Sequence, residues 1–126
     1  MPNFSEHSKE KLATCDLRLQ SIFNEAIKSM DMTIVTGYRG EVEQDQAFKD
    51  GRSLLKFPNG RHNRNPSLAV DACPFPYDWS TDSPPIKLLA DHIKAVGESL
   101  QIEIEWGGEC FGPDFRDTDH FQLKEV

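Results

Sequence analysis

The stretch GRHNRNPSLAVDACPFP, residues 60–76, places a histidine in a polar, turn-forming run and an aspartate inside a short apolar one. SLAVDAC (67–73) reads as a strand meant for burial, entered through Pro66. Alternate residues of a strand face opposite ways, so Leu68, Val70 and Ala72 share one face while Ala69, Asp71 and Cys73 share the other. A carboxylate in such a strand needs a partner, because an unpaired buried charge is costly.

The neighbouring segments supply the rest of a small α+β domain. Upstream, residues 5–30 carry Leu12, Cys15, Leu19, Ile22, Ala26 and Met30 at three- and four-residue intervals, with Ser5 placed to cap; one helix is expected. TIVTGY (33–38) reads as a strand ending near Gly37, and 41–50 as a short helix closed by Gly51. Residues 51–66 read as loop, punctuated by Pro58, Asn59, Gly60 and Pro66. Downstream, Ser83-Pro84 opens a helix running to about Leu100, with Ile86, Leu89, Ile93, Val96 and Leu100 on one face. IEIEW (102–106) and HFQLKE (120–125) alternate as strands across a Gly- and Asp-rich loop. This order has few obligatory parallel crossovers, so the expected fold is helices packed on one face of a small, mostly antiparallel sheet.

Bulk properties narrow the function. A chain of 126 residues is one domain, 1–126, with no room for a separate wall-binding module. A formal net charge of -7 excludes a nucleic-acid partner or an anionic membrane surface, both of which ask for a basic stripe. Cys15, Cys73 and Cys110 are too few and scattered for a disulfide framework. No apolar run approaches the roughly 20 residues of a membrane span, and MPNFSEHSKEKL lacks the pattern of a signal peptide. A monomer made in a cytoplasm is expected.

In HFQLK, Phe121 and Leu123 face one way and His120, Gln122 and Lys124 the other. If the apolar faces of both strands lie on the helices, Asp71 and His120 project together from the opposite face, and His62 can fold over it. Two imidazoles and one carboxylate suit a catalytic zinc, which keeps a fourth position for water. On spacing alone, a hydrogen-bonded structural histidine is the commoner use of His62 or His120. His7 and His92 read as surface residues.

HNRNPSLAVD, PFPYDW, EWGG and D-x-x-H-F-Q-L, in that order, resemble the zinc peptidases of the D-Ala-D-Ala carboxypeptidase and phage L-alanyl-D-glutamate endopeptidase family, the M15-like endolysins. The likeness runs from about Thr36 to Leu123. It implies a hedgehog/DD-peptidase-like fold, with zinc held by His62, Asp71 and His120 on the face away from the helices. It implies Asp117 as the catalytic carboxylate, taking a proton from the attacking water and handing one to the leaving amine; Asp119 is the rival. Three positions before a strand ligand, Asp117 belongs in the preceding turn. TGYRG matches the family's S/T-G-Y-R segment and assigns Arg39 to the scissile carbonyl oxygen or to a substrate carboxylate. Gln44 and Gln46 either orient Arg39 or are solvated, with solvation the preferred reading. Trp106 is expected to line the substrate groove, although a tryptophan ending a strand is as often core, and Glu105 to back a zinc histidine.

The family's usual serine two residues before the first histidine is Gly60 here, the His62–Asp71 spacing is longer than common, and Cys110 with Phe111 replaces an aromatic after EWGG. Cys73 shares Asp71's face but reads as a small buried hydrophobe. The function implied is a phage endolysin cutting the L-Ala–D-Glu bond of peptidoglycan stem peptides, released from the host cytoplasm onto the wall. The alternatives are a D,D-carboxypeptidase or dipeptidase acting on D-Ala-D-Ala and a non-catalytic zinc-containing binding module. RHNRN is a weak hint of an HNH-type nuclease.

Overall fold

The structure, a computed structural model, describes residues 2–75, 84–110 and 117–124. Four strands form one sheet: β1 (Met32–Thr36), β2 (Ala69–Pro74), β3 (Ile104–Trp106) and β4 (His120–Leu123). Their spatial order is β1-β2-β4-β3 and every neighbouring pair is antiparallel. Four helices accompany them: α1 (Glu6–Leu12), α2 (Leu17–Ala26), α3 (Glu41–Lys49) and α4 (Pro84–Ser99). The expected α+β domain is the one observed.

The alternation in β2 and β4 decides the layering. Val70, Ala72, Phe121 and Leu123 join one apolar core with Leu12 of α1, Leu19, Ile22 and Phe23 of α2, and Leu89 and Ile93 of α4. Phe23 meets Phe121 edge-to-face, ring centroids 5.8 Å apart, fixing the centre of the helix–sheet contact. On the opposite sheet face Asp71, His120 and Gln122 are also buried, and they build the site instead.

The expected helix over 5–30 is two helices. Ser5 caps the first as anticipated, its Oγ accepting the Ser8 N–H. The chain then breaks at residues 13–16, and Asp16 caps the second helix by accepting the Arg18 N–H at 2.9 Å. The break is stitched to the start of β2, for Ser67 N–H donates to Thr14 O and Asp16 N–H to Ser67 O, both at 2.9 Å. Leu12, Cys15, Leu19, Ile22 and Ala26 are all buried. The stripe therefore survives a backbone interruption that periodicity alone does not reveal.

α3 and α4 begin and end close to the expected positions. Gly51, at φ 77°, follows α3 in the left-handed region that glycine adopts most readily. The Ser83 cap and most of PFPYDW lie outside the described residues. His92 is not a solvated residue: its Nε2–H donates to Ala26 O at 3.0 Å, tying α4 to the end of α2. Among the described residues no helix is long and apolar enough to cross a membrane.

Asp16→Ala separates one helix from two. In a continuous helix alanine would stabilise; at an N-cap its loss costs about 1 kcal/mol. Urea unfolding of the variant is expected to show the loss, with an unchanged slope.

Candidate metal and catalytic site

β2 and β4 pair with Asp71 opposite His120, which sets carboxylate and imidazole side by side on the face away from the helices. His62 arrives from a short 3-10 turn, Arg61–Asn63, in the loop before β2. Its Nε2 lies 3.2 Å from Asp71 Oδ1 and 3.2 Å from His120 Nδ1, and His120 Nδ1 lies 3.3 Å from the same carboxylate oxygen. All three residues are buried.

The opposite edge of each ring tells which nitrogen faces inward. His62 Nδ1–H donates to Gly37 O at 2.8 Å, and His120 Nε2–H donates to Gln122 Oε1 at 2.8 Å. Each imidazole therefore turns its remaining nitrogen toward the other ring and toward an acidic oxygen. Such a convergence is repulsive unless a proton or a cation lies between, and outward N–H bonds of this kind orient metal-ligating histidines. Tetrahedral zinc with bonds of about 2.0–2.1 Å sets its donor atoms about 3.3 Å apart, close to the separations here. The donor set fits a divalent metal.

The charges respond to this crowding. Burial alone would raise the Asp71 carboxyl, but the two imidazoles outweigh it and hold the group well below the usual carboxylate range. Burial alone would lower His120, but hydrogen bonding to Asp71 and its charge overcome that and raise it.

Asp117 occupies the turn before β4, where its spacing required it, with Oδ2 3.9 Å from His120 Nδ1. Burial, a hydrogen bond with Asp119 and the charge of Asp71 push its carboxyl up to about 8. Asp119 is also raised, chiefly by burial and Asp71. A divalent cation at the cluster would draw both down, since its charge dominates any local field.

The EWGG motif explains how the turn is held. Asp117 N–H donates to Gly107 O, Gly107 N–H to His120 O, and the Trp106 indole N–H to Thr118 O at 2.9 Å. A Cβ on Gly107 would run into the Asp117 carbonyl oxygen, so only glycine lets the turn cross there. Trp106 itself is a correction. It is 4% exposed, belongs to the helix-side core and steadies the turn from behind instead of lining the groove.

Arg39 reaches the cluster from the end of β1: Nη2–H donates to Asp71 Oδ2 at 3.2 Å and Nη1–H to Gln44 Oε1 at 3.1 Å. The preferred reading of Gln44 is overturned, since it is 1% exposed and accepts a hydrogen bond from the guanidinium. Gln46 donates from Nε2 to Asp50 Oδ1 at 2.9 Å and stays on the surface. Glu105 backs His120 at one remove, accepting from Gln122 Nε2 at 3.1 Å. Gln122 was within reach of the sequence, on His120's side of the alternation. Asn63 was not: its Oδ1 accepts from Gly60 N–H and its Nδ2 donates to Arg39 O. A Cβ at Gly60 would sit 2.8 Å from Asn63 Oδ1 and 3.2 Å from Gln44 Cδ, so the serine common at that position would require the Asn63 side chain to shift. Cys73 is buried with its thiol pushed up to about 11 by burial, and it stands outside the metal-compatible cluster.

The cluster opens into a cleft of about 380 Å³, lined by Arg39, Arg52, Arg61 and Ser53–Leu55 and by Glu105, Cys110 and Asp117 among others.

The backbone is similar to two solved peptidases. It superposes on the Serratia marcescens L-Ala D-Glu endopeptidase ChiX with a TM-score of 0.80 at 23% identity, covering 98% of this chain and 91% of that one. The vancomycin-resistance D,D-dipeptidase VanXYg, solved with a D-Ala-D-Ala phosphinate analogue, gives 0.50 at 21%, over 85% and 47% of the two chains. The fold is thus that of the M15 peptidases, here carrying a buried His–Asp–His group able to hold a metal. An L-alanyl-D-glutamate peptidase of Escherichia phage T5 is 27% identical over 111 residues, 84% of this chain and 80% of the relative. The family model for phage L-alanyl-D-glutamate peptidases matches residues 2–123, and the chain belongs to that family.

Gly107→Ala is expected to cost about 1–3 kcal/mol by overpacking and to change the fluorescence of Trp106, whose indole N–H is bonded within the displaced turn.

Proposed function

We propose that this protein is a zinc-dependent peptidase that cuts the L-alanyl–D-glutamate bond of peptidoglycan stem peptides, as a phage lysis enzyme made in the host cytoplasm and released onto the wall. The observation that carries the reading is the convergence of two imidazole nitrogens and a buried carboxylate, a donor set that suits a divalent cation, at the base of an open cleft. His62, Asp71 and His120 would hold the zinc. When bound, it polarises the scissile carbonyl and acidifies water.

The remaining chemistry belongs to the chain. Asp117 takes the proton from the attacking water as the oxygen bonds to the carbonyl carbon, then returns one to the departing amine as the C–N bond breaks. Arg39, anchored on Asp71 and Gln44, presents its other N–H groups to the oxygen that gains charge. Substrate choice finds support in the wall of the cleft. Despite a net charge of -7, three arginines, Arg39, Arg52 and Arg61, are among its lining residues, against two acids, Glu105 and Asp117. A glutamate joined through its amino group to alanine keeps at least one free carboxylate unless both are substituted, and such a group suits that wall.

Digestion of purified peptidoglycan, read by mass spectrometry against a His120→Ala control, is expected to reveal new N-terminal D-Glu; free D-Ala would instead identify a carboxypeptidase. Asp117→Ala is expected to keep zinc, measured by elemental analysis, and to lose about 100- to 10,000-fold in turnover. Loss of the metal from that variant would make Asp117 a ligand and not the proton carrier.

A further inference from the structure

Gln44 is an unusual residue to find 1% exposed on an otherwise polar helix, where Ala47 is its only buried companion. α3 thus has almost no apolar face with which to dock. Its amide does that work with every hydrogen-bonding position filled. Oε1 accepts from Arg39 Nη1 at 3.1 Å and Asn63 Nδ2 at 3.2 Å, while Nε2 donates to Ser53 Oγ at 2.9 Å and Leu55 O at 2.6 Å. This pattern fixes which end of the amide is which. One end holds the guanidinium that touches Asp71, and the other holds two residues of the cleft wall.

We propose that Gln44 is a positioning residue that locks Arg39 to the substrate-facing wall at Ser53–Leu55, so that guanidinium and bound peptide share one register. The inference rests on the peptidase reading above. A neutral amide is the group required: it accepts from Arg39 without neutralising it and still donates to the wall. Glutamate at this position would keep the shape and the acceptor, add a charge beside Arg39 and lose both donors. Methionine would keep the bulk and lose all four bonds.

The test uses the full-length zinc-loaded protein with Gln44→Glu, Gln44→Met, Arg39→Lys and the Arg39→Lys/Gln44→Met double variant. Each is first checked for native-like melting and zinc content. Expected is a fall in kcat of about 10- to 100-fold for both Gln44 variants, with a smaller change in KM. In the Arg39→Lys background the methionine should cost little more, because its effect runs through Arg39. A second readout does not need turnover: side-chain ¹⁵N–¹H signals of Arg39, slowly exchanging in the parent, should broaden or vanish in Gln44→Met. Effects that simply multiply in the double variant, or unchanged Arg39 signals, overturn the proposal. If Gln44→Met fails to fold, Gln44→Glu decides on the same two readouts. Should the parent release no wall fragments while the Arg39 signals still respond, the peptidase reading falls and the positioning role stands.

Discussion

The pairing of β2 with β4 in a register that sets Asp71 against His120 is the constraint on which the rest depends. Strand side chains alternate, so a slip of one residue would send both groups into the helix-side core and bring Val70 and Phe121 out. The core and the metal-compatible cluster are two faces of the same two strands. Burying Phe121 and Leu123 under α2 and α4 is therefore what aims His120 at Asp71. His62 comes from outside the sheet, and its ring is turned by the carbonyl of Gly37 at the end of β1.

A site this buried contains many charges, and it holds them through complete pairing. Asp71 accepts from Arg39 and faces both imidazoles; Gln44, Asn63 and Gln122 each bond on more than one side. Among the described residues no buried side-chain nitrogen or oxygen lacks a partner. In a low-dielectric setting such a network is rigid when whole and costly when one member is removed. The same rigidity gives the cluster its preorganised geometry, since the ring orientations are set by bonds that point away from its centre.

Much of this could be read from the residues. Alternation in SLAVDAC and HFQLK distinguished core from site correctly, because a period of two leaves only two choices of face. The turn position of Asp117 followed from its offset of three. The helix break at 13–16 did not show, since its apolar stripe continues across the interruption and the decisive bonds run to Ser67, far along the chain. Gln44 was misjudged for a related reason. A glutamine on a polar helix carries no local sign of burial, and its four partners come from three separate segments. Trp106 was read as a groove residue, but it pairs opposite Phe121 and so shares the helix-side face, with its indole N–H bonded to the Thr118 carbonyl.

The break between the first two helices reaches further than its own segment. Thr14 Oγ accepts the Tyr38 N–H at 2.8 Å, Lys11 Nζ donates to Val35 O, and Thr14 and Asp16 bracket Ser67. Residues 11–16 thus clamp from behind the strand ends that carry Gly37 and Arg39 on one side and lead into Asp71 on the other. For an engineer, the working border of the cleft encloses this remote knot as well as the visible lining. Libraries meant to retune specificity should vary the rim at 52–55 and spare the knot, although none of its side chains lines the cleft.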